Sequence, residues 1–247
     1  MRTMRARAVL LCIFAAGAAS EAHTQESELR GLSGFWQPKF DREPFGQVLI
    51  DQLPDEAVFI DDAGAGELAP GDFAGLKLTP RAVAEIENYD PAAERRPERA
   101  CVAPSVAFIM QAPFPMEIYE GRDLIVLKLE YYDLVRIVFL DGREHPPADV
   151  PPSKSGHSVG YWDGDTLVVD TTHVAAATFM NNGFDHSDNI HILERFRLSP
   201  DATTLWITQV YTDPETFEGL ASRYMAFTRA PGQYVYPFEC DPGYLVN

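Results

Sequence analysis

The sequence predicts an all-β protein in which an antiparallel meander closes into a lipocalin-like barrel. From residue 113 onward, stretches rich in β-branched and aromatic residues alternate with turn signals about every 8 to 12 residues. No helical periodicity separates these stretches, which argues against a parallel α/β sheet with a dinucleotide site. About eight such strands can close a barrel whose interior holds side chains or one small ligand. The predicted strands span residues 116–119, 124–131, 135–140, 157–162, 166–172, 191–198, 204–211 and 222–228.

Residues 1–22 have the pattern of a secretory signal peptide. Three arginines precede an apolar stretch over residues 8–16, and small residues follow, with cleavage sites ending near Ala18 or Ala22. A buried N-terminal helix is the alternative. We expect residues 23–247 to form a single domain in the periplasm or outside the cell, with no membrane anchor after cleavage of the signal.

The N-terminal part of this domain, residues 23–95, is predicted to be irregular because it is rich in proline, glycine and acidic residues. A short strand is expected at 31–36. One short helix is also predicted, since Thr79 suits the N-cap and Pro80 suits the first helical position. The main barrel is expected over residues 96–247.

The charge and the cysteines narrow the functional class further. The net charge of -17 argues against binding to nucleic acid or to anionic lipid. Cys12 falls in the predicted signal peptide, which leaves Cys101 and Cys240. In an oxidising compartment, two thiols most simply form one disulfide. A catalytic or metal-bound cysteine is the alternative, although neither cysteine has a C-x-x-C spacing.

The segment at 156–171, GHSVGYWDGDTLVVDT, predicts a β-hairpin with the Asp163-Gly164 dipeptide as its turn. This register places His157 directly opposite Asp170, close enough for an imidazole to meet a carboxylate. It also places Tyr161 on the same face as this pair, and alternation alone leaves open which face is interior. An Asp-held histidine suits general acid–base catalysis. An ordinary cross-strand ion pair is the alternative.

Glu194 is the second candidate. It shares the parity of Ile190, Ile192 and Phe196 along a predicted strand, and burial of a carboxylate is costly unless the group is paired or protonated. Glu194 is therefore expected either to have a buried partner or to be poised as an acid. A bulged edge strand that exposes Glu194 is the alternative.

Other charges set within apolar strands are candidates for binding a ligand. Glu117, Glu130 and Arg136 are of this kind, and His186 is added as a ligand-binding residue. Arg136, together with Tyr161, is also expected to stabilise negative charge that develops during a reaction.

A metal site is a further possibility that the sequence leaves open. His157, His186, Asp188 and His191 are the residues that would form it. Their spacing lacks the H-x-H and H-E-x-x-H patterns, and no EF-hand spacing is present. We therefore expect no metal and no other cofactor.

Several stretches together resemble an uncharacterised family of secreted bacterial proteins. They are LSGFW at 32–36, the segment at 101–118 that ends in PFPMEI, DGREHP at 141–146, the hairpin at 156–171 and HSDNIHILERF at 186–196. The resemblance covers most of the mature chain. It implies a shared architecture and brings no activity with it.

The leading hypothesis is a periplasmic or secreted, cofactor-free acid–base enzyme of the lyase, isomerase or cyclase type. Its substrate would be a small, mostly apolar molecule. His157 would act as the base, oriented by Asp170, and Glu194 or His191 would act as the acid. A non-catalytic barrel that binds a small ligand is one alternative, and a metal-dependent hydrolase or lyase that uses the histidines is another. The oligomeric state stays open.

Overall fold

The computed structural model describes residues 29–40, 46–62, 68–94, 96, 99 and 101–245. The predicted signal peptide lies outside these residues. The strands are β1 (Gly34–Pro38), β2 (Ala57–Phe59), β3 (Lys77–Leu78), β4 (Met116–Glu120), β5 (Leu124–Leu129), β6 (Val135–Phe139), β7 (His157–Asp163), β8 (Thr166–Thr172), β9 (Ala177–Met180), β10 (Phe184–His186), β11 (His191–Leu198), β12 (Thr204–Thr212), β13 (Phe217–Glu218) and β14 (Leu220–Arg229). The helices are α1 (Gln47–Ile50), α2 (Pro80–Glu87), α3 (Pro91–Glu94) and α4 (Val106–Ile109), and short 3-10 turns lie at Tyr131–Asp133 and Pro242–Leu245.

Nine strands close into a barrel in the order β1-β4-β5-β6-β7-β8-β11-β12-β14, and β14 pairs back onto β1. The predicted all-β barrel is therefore confirmed, and each predicted strand is present. The barrel has nine strands rather than about eight because β1, from the N-terminal part, completes the closure. The meander is not antiparallel throughout, since β6 and β7 pair in parallel. Parallel neighbours need a crossover connection, here the long segment at residues 140–156.

Alternation explains why these segments form barrel strands. In β5, Ile125, Leu127 and Leu129 are buried, whereas Val126 and Lys128 between them are only partly buried. β11 alternates in the same way, with Ile192, Glu194 and Phe196 on the buried face. A period of two places one set of side chains inside the barrel and the other set outside.

Side chains occupy the interior of the barrel. Arg136, Glu194, Gln209 and Tyr211 are fully buried there, and Arg223 is 1% exposed. Helix α4 packs against them, since the carbonyl oxygen of its Ala107 accepts a hydrogen bond from Arg223 Nη1 at 3.2 Å. These contacts make the interior a connected polar core within an apolar shell.

The N-terminal part carries the predicted helix. The Thr79 side chain accepts a hydrogen bond from the backbone N–H of Ala82 at 3.2 Å, and Pro80 is the first helical residue of α2, so this helix begins as the sequence predicts. No helix in the described part of the chain is long and apolar enough to cross a membrane.

The predicted disulfide is also present. Cys101 and Cys240 are joined, with a Cα–Cα distance of 5.7 Å and a sequence separation of 139 residues. The bond ties the C-terminal tail to the segment that precedes α4.

Candidate active site

The β7–β8 hairpin has a different register from the predicted one. Asp163 pairs with Thr166, so the two loop residues are Gly164 and Asp165 rather than Asp163 and Gly164. Gly164 has φ +57 as the first loop residue, a position where glycine is favoured in two-residue hairpins. The sequence interpretation placed this glycine second in the loop, and that choice shifted the register by two residues.

The predicted direct pairing of His157 with Asp170 is therefore wrong. His157 lies opposite Thr172, and Asp170 lies opposite Val159. Because the shift is an even number of residues, His157 and Asp170 still share one face of the sheet. They are diagonal neighbours rather than a directly opposed pair.

That shared face is the outside of the barrel. Ser158 and Thr171, on the opposite face of the same strands, are fully buried and both bond the interior guanidinium of Arg136. His157 and Asp170 are only partly buried. His157 and Asp170 therefore do not lie in the interior of the barrel.

A third histidine joins His157 to Asp170. His145, from the crossover segment between β6 and β7, lies with Nδ1 2.9 Å from Nδ1 of His157 and Nε2 2.9 Å from Oδ1 of Asp170. His191, at the start of β11, approaches the same carboxylate oxygen with Nε2 at 2.9 Å. The four side chains form one hydrogen-bonded group, here called the histidine cluster.

The contacts of the cluster determine which nitrogens carry protons when the imidazoles are neutral. A carboxylate only accepts, so His145 and His191 each donate their Nε2–H to Asp170. The Nδ1 atom of His145 then accepts from Nδ1–H of His157. This leaves Nε2 of His157 unprotonated, and it has no hydrogen-bond partner among the described residues.

The two outer histidines are shifted in opposite directions. Partial burial, followed by the nearby His145, Arg143 and His173, lowers the pKa of His157 below its ordinary value of 6.5. The hydrogen bond with Asp170 raises the pKa of His191 above the same value. Compared with an unperturbed imidazole, His157 is biased toward its neutral, basic form and His191 toward its protonated, acidic form.

The Asp170 carboxylate is held in its charged form. Its hydrogen bond with His191, and secondarily the one with His145, lowers its pKa below the ordinary range. Its side chain is 37% exposed, and those of His145 and His191 are 24% and 41% exposed. The cluster is therefore accessible from solvent and partly shielded from it.

An aromatic ring and a guanidinium lie next to the base. Phe139 stacks on His157 with ring centroids 5.4 Å apart, and the Arg143 guanidinium lies 3.6 Å from the centre of the Phe139 ring. Arg143 is also paired with Asp141 at 2.6 Å. The surroundings of His157 thus combine an apolar ring with a cation.

Sequence reasoning missed His145 and Arg143. Both lie in the crossover segment, which has no regular strand or helix to provide a period. The available signal was the DGREHP turn at 141–146, which was used only for the family resemblance. Hydrogen bonds hold the crossover segment against the outer face of the barrel. His145 forms some of them, and Nε2 of His173 lies 3.0 Å from the carbonyl oxygen of Pro147 in the same segment.

Glu194 and Arg136 lie on the other side of the barrel wall. Both are fully buried, and the guanidinium of Arg136 forms two contacts with the carboxylate of Glu194. Gln209 also donates to Glu194, at 2.8 Å. The structure therefore gives Glu194 the buried partner that was one of the two expectations, and does not bring it together with His157.

Three further candidates lie away from the cluster. Tyr161 shares the outer face with His157 but is four residues along β7, or about 13 Å at the usual rise per residue. Glu117 faces Lys128 across β4 and β5, and Glu130 accepts a hydrogen bond from the backbone of Tyr236 in the C-terminal tail. None of these three residues is therefore placed in contact with the cluster.

His186 has its own buried partner. Its Nε2 lies 2.5 Å from Oγ of Ser105, and its Nδ1 lies 2.8 Å from the carbonyl oxygen of Ser187. Burial lowers the pKa of His186 to about 4. Because both ring nitrogens are occupied, His186 does not join a metal site with His157 and His191.

Asp188, the remaining candidate ligand, accepts a hydrogen bond from the backbone N–H of Ala176. Within the described ranges, no group of three or more histidine, cysteine or acidic side chains is arranged to hold a metal ion. The four residues proposed from the sequence as metal ligands are therefore not gathered in one place.

Comparison with known proteins finds no matching family model and no curated protein of significantly similar sequence. The functional argument therefore depends on the geometry of the site.

Proposed function

We propose that this protein is a cofactor-free acid–base enzyme whose active site is the histidine cluster on the outer face of the barrel. The observation that carries the proposal is the chain of contacts from His157 through His145 to Asp170, which leaves one ring nitrogen of His157 unprotonated. A histidine whose tautomer is fixed through its other nitrogen is the usual form of a general base.

The chain of contacts also provides a place for the abstracted proton. When Nε2 of His157 takes a proton from the substrate, its Nδ1 proton can pass to Nδ1 of His145. The positive charge then lies on His145, beside the carboxylate of Asp170. Charge that moves toward a carboxylate in a partly shielded site costs less than charge left on His157.

His191 supplies the complementary acid. It shares Asp170 with His145, and its raised pKa keeps a fraction protonated near neutral pH. Arg143 takes the role that the sequence gave to Arg136, because it lies beside the cluster and Arg136 lies inside the barrel. Proton removal at one position and proton return at another suit a lyase, isomerase or cyclase.

The substrate class follows from the surroundings of His157. The Phe139 ring offers an apolar contact, and Arg143 offers a cation for an enolate or another developing anion. We infer a small, mostly apolar molecule with an acidic C–H bond.

We place the protein in the periplasm or outside the cell, as a member of the secreted family that its motifs resemble. The disulfide supports an oxidising compartment. The basic and apolar pattern of residues 1–22 supports export.

The test uses a probe whose ring opens when a base removes one proton, 5-nitrobenzisoxazole. The wild-type protein should accelerate the opening, and His157→Ala should lose about 100-fold or more of that rate, the usual contribution of a positioned base. Arg122→Gln, an exposed change in the loop between β4 and β5, serves as the control and should leave the rate unchanged. Thermal melting of each variant checks that it is folded.

The pH dependence gives a second, independent readout. The rate should rise with a pKa below 6.5 as His157 loses its proton, and fall with a pKa above 6.5 as His191 loses its own. His191→Gln should lower the maximal rate and remove the falling limb, while the rising limb stays. A folded His157→Ala protein with the wild-type rate would overturn the assignment, as would loss of activity in a chelator with recovery on addition of one divalent ion.

A further inference from the structure

A groove of about 610 Å³ lies at the other end of the strands that carry the histidine cluster. Its wall includes Trp162 and Asp165 at the β7–β8 turn, whereas His157 lies at the opposite end of β7. His157 and Trp162 are separated by about 17 Å along the strand at the usual rise per residue. The volume falls within the range of about 300 to 1,000 Å³ that is common for small-molecule sites.

The groove has an apolar floor with two indole rings. Trp162 and Trp206 both line it, and Leu32 and Leu198 lie among the same lining residues. Flat apolar surfaces of this kind favour an aromatic body, because rings stack and bury large areas. Two of the protein's three tryptophans line this groove, so its indole fluorescence should respond to a ligand bound there.

Two guanidinium groups also line the groove. Arg30 lies 5.5 Å from the centre of the Trp162 ring, and within the described part of the chain no carboxylate forms an ion pair with it. Arg197 donates to Thr166 at 3.3 Å and is 3.9 Å from the carboxylate of Asp165, whose side chain is 81% exposed. Such a distant, solvated carboxylate neutralises Arg197 weakly.

The local charge contrasts with the charge of the whole chain. The protein has a net charge of -17, so its field repels anions over most of the surface. The groove is lined by two guanidinium groups and one carboxylate, that of Asp165, so its charged lining has a net positive charge. Guanidinium groups suit carboxylate or sulfonate oxygens, since they offer several N–H donors in one plane.

We propose that this groove binds an organic anion that has an aromatic body and one acidic group, separately from the chemistry at the histidine cluster. The body packs on Trp162 and Trp206, and the acidic group lies between Arg30 and Arg197.

The test compares two fluorescent probes that differ in the acidic group. One is 8-anilinonaphthalene-1-sulfonate and the other is N-phenyl-1-naphthylamine, which has the same rings without the sulfonate. The wild type should bind the sulfonate at one site, with quenching of tryptophan fluorescence. Arg197→Gln and Arg30→Gln should each weaken that binding about tenfold or more, and should change the affinity for the neutral amine by less than threefold.

Two further variants complete the design. Trp162→Leu should weaken both probes, because it removes the aromatic floor they share. Arg122→Gln, a cation outside the groove, should weaken neither. Melting curves exclude partly unfolded protein, which also binds the sulfonate.

Sulfonate binding that is unaffected by both arginine variants, or equal weakening of the two probes by them, would overturn the proposal. So would the absence of saturable binding to the wild type. None of these results depends on the rate measured with His157→Ala, so the two proposals fail independently.

Discussion

The buried pair of Arg136 and Glu194 gives the sharpest stability prediction. Replacing Glu194 by Gln removes the negative charge and retains a side chain of nearly the same shape. Arg136 stays inside the barrel with its hydrogen bonds to Ser158 at 3.0 Å and Thr171 at 2.8 Å, but its charge is no longer balanced. We expect Glu194→Gln to destabilise the fold strongly.

The magnitude follows from the geometry. Opposite charges with centres roughly 4 Å apart interact by about 4 kcal/mol at an effective dielectric constant of about 20. Removal of one partner of a buried pair typically costs about 3 to 5 kcal/mol, because the other charge is left uncompensated. Both side chains are 0% exposed, so solvent does not screen the pair. The free energy of unfolding should therefore fall by about 4 kcal/mol.

The measurement is urea unfolding of three proteins at neutral pH. Glu85→Gln makes the same substitution in an exposed pair, where Arg81 and Glu85 have side chains 51% and 50% exposed. That control should cost about 0.3 to 0.5 kcal/mol. The double variant Arg136→Met with Glu194→Gln should recover at least half of the loss, since it removes the unbalanced cation.

The side chains around the double variant can still form hydrogen bonds. Ser158 and Thr171 already lie 2.9 Å apart and can bond each other once the guanidinium is gone. The amide oxygen of the new Gln can still accept from Gln209. A Glu194→Gln protein within about 0.5 kcal/mol of wild type would refute the ion-pair reasoning.

Two further predictions concern pH and the disulfide. Burial lowers the pKa of His186 from 6.5 to about 4, so between these values the unfolded chain binds a proton that the folded chain does not. The free energy of unfolding should therefore fall as the pH drops through this window, by up to about 3 kcal/mol from this group. The urea midpoint should fall less in His186→Asn than in wild type over the same pH range. Equal falls in the two proteins would contradict the lowered pKa of His186. Replacing Cys101 and Cys240 together by Ser should lower the free energy of unfolding by about 2 to 5 kcal/mol in urea titrations under oxidising conditions. Addition of a reductant to the wild type should reproduce the effect, and an unchanged midpoint would show that the bond contributes nothing.

The barrel strands could be predicted because their signal is local. The alternation of apolar and polar residues in β5 and β11 indicates which side chains face the interior. Gly164 indicates where the hairpin turns. The disulfide followed from elimination among three cysteines. Each of these inferences needs only a few neighbouring residues.

The register of the β7–β8 hairpin could not be predicted from local sequence signals alone. A glycine beside two aspartates fits either of two loop positions, and the choice moves every pair by two residues. A two-residue error leaves each side chain on its predicted face of the sheet, because side chains alternate with a period of two. The same error changes the residue that lies directly opposite. His157 and Asp170 were therefore correctly placed on one face and wrongly placed opposite each other.

The bridging residue was beyond this kind of prediction. His145 reaches His157 and Asp170 from a segment with many prolines and without strand or helix periodicity, and its position depends on the parallel crossover from β6 to β7. The pairing of Arg136 with Glu194 likewise joins strands that are not neighbours in the barrel. Contacts of this kind join segments that are far apart in the sequence, and the alternation within one strand does not specify them.

The filled interior and the exposed cluster are connected through the same two strands. Ser158 and Thr171 lie next to His157 and Asp170 respectively along the chain, on the opposite face, and are fixed by the guanidinium of Arg136. A catalytic group must be held within about half an ångström of its working position, and rigid strands hold it better than loops do. The polar core inside the barrel therefore fixes the strands that carry His157 and Asp170 on the outer face. We expect Glu194→Gln to lower the rate of the reaction at His157 even where the protein remains folded.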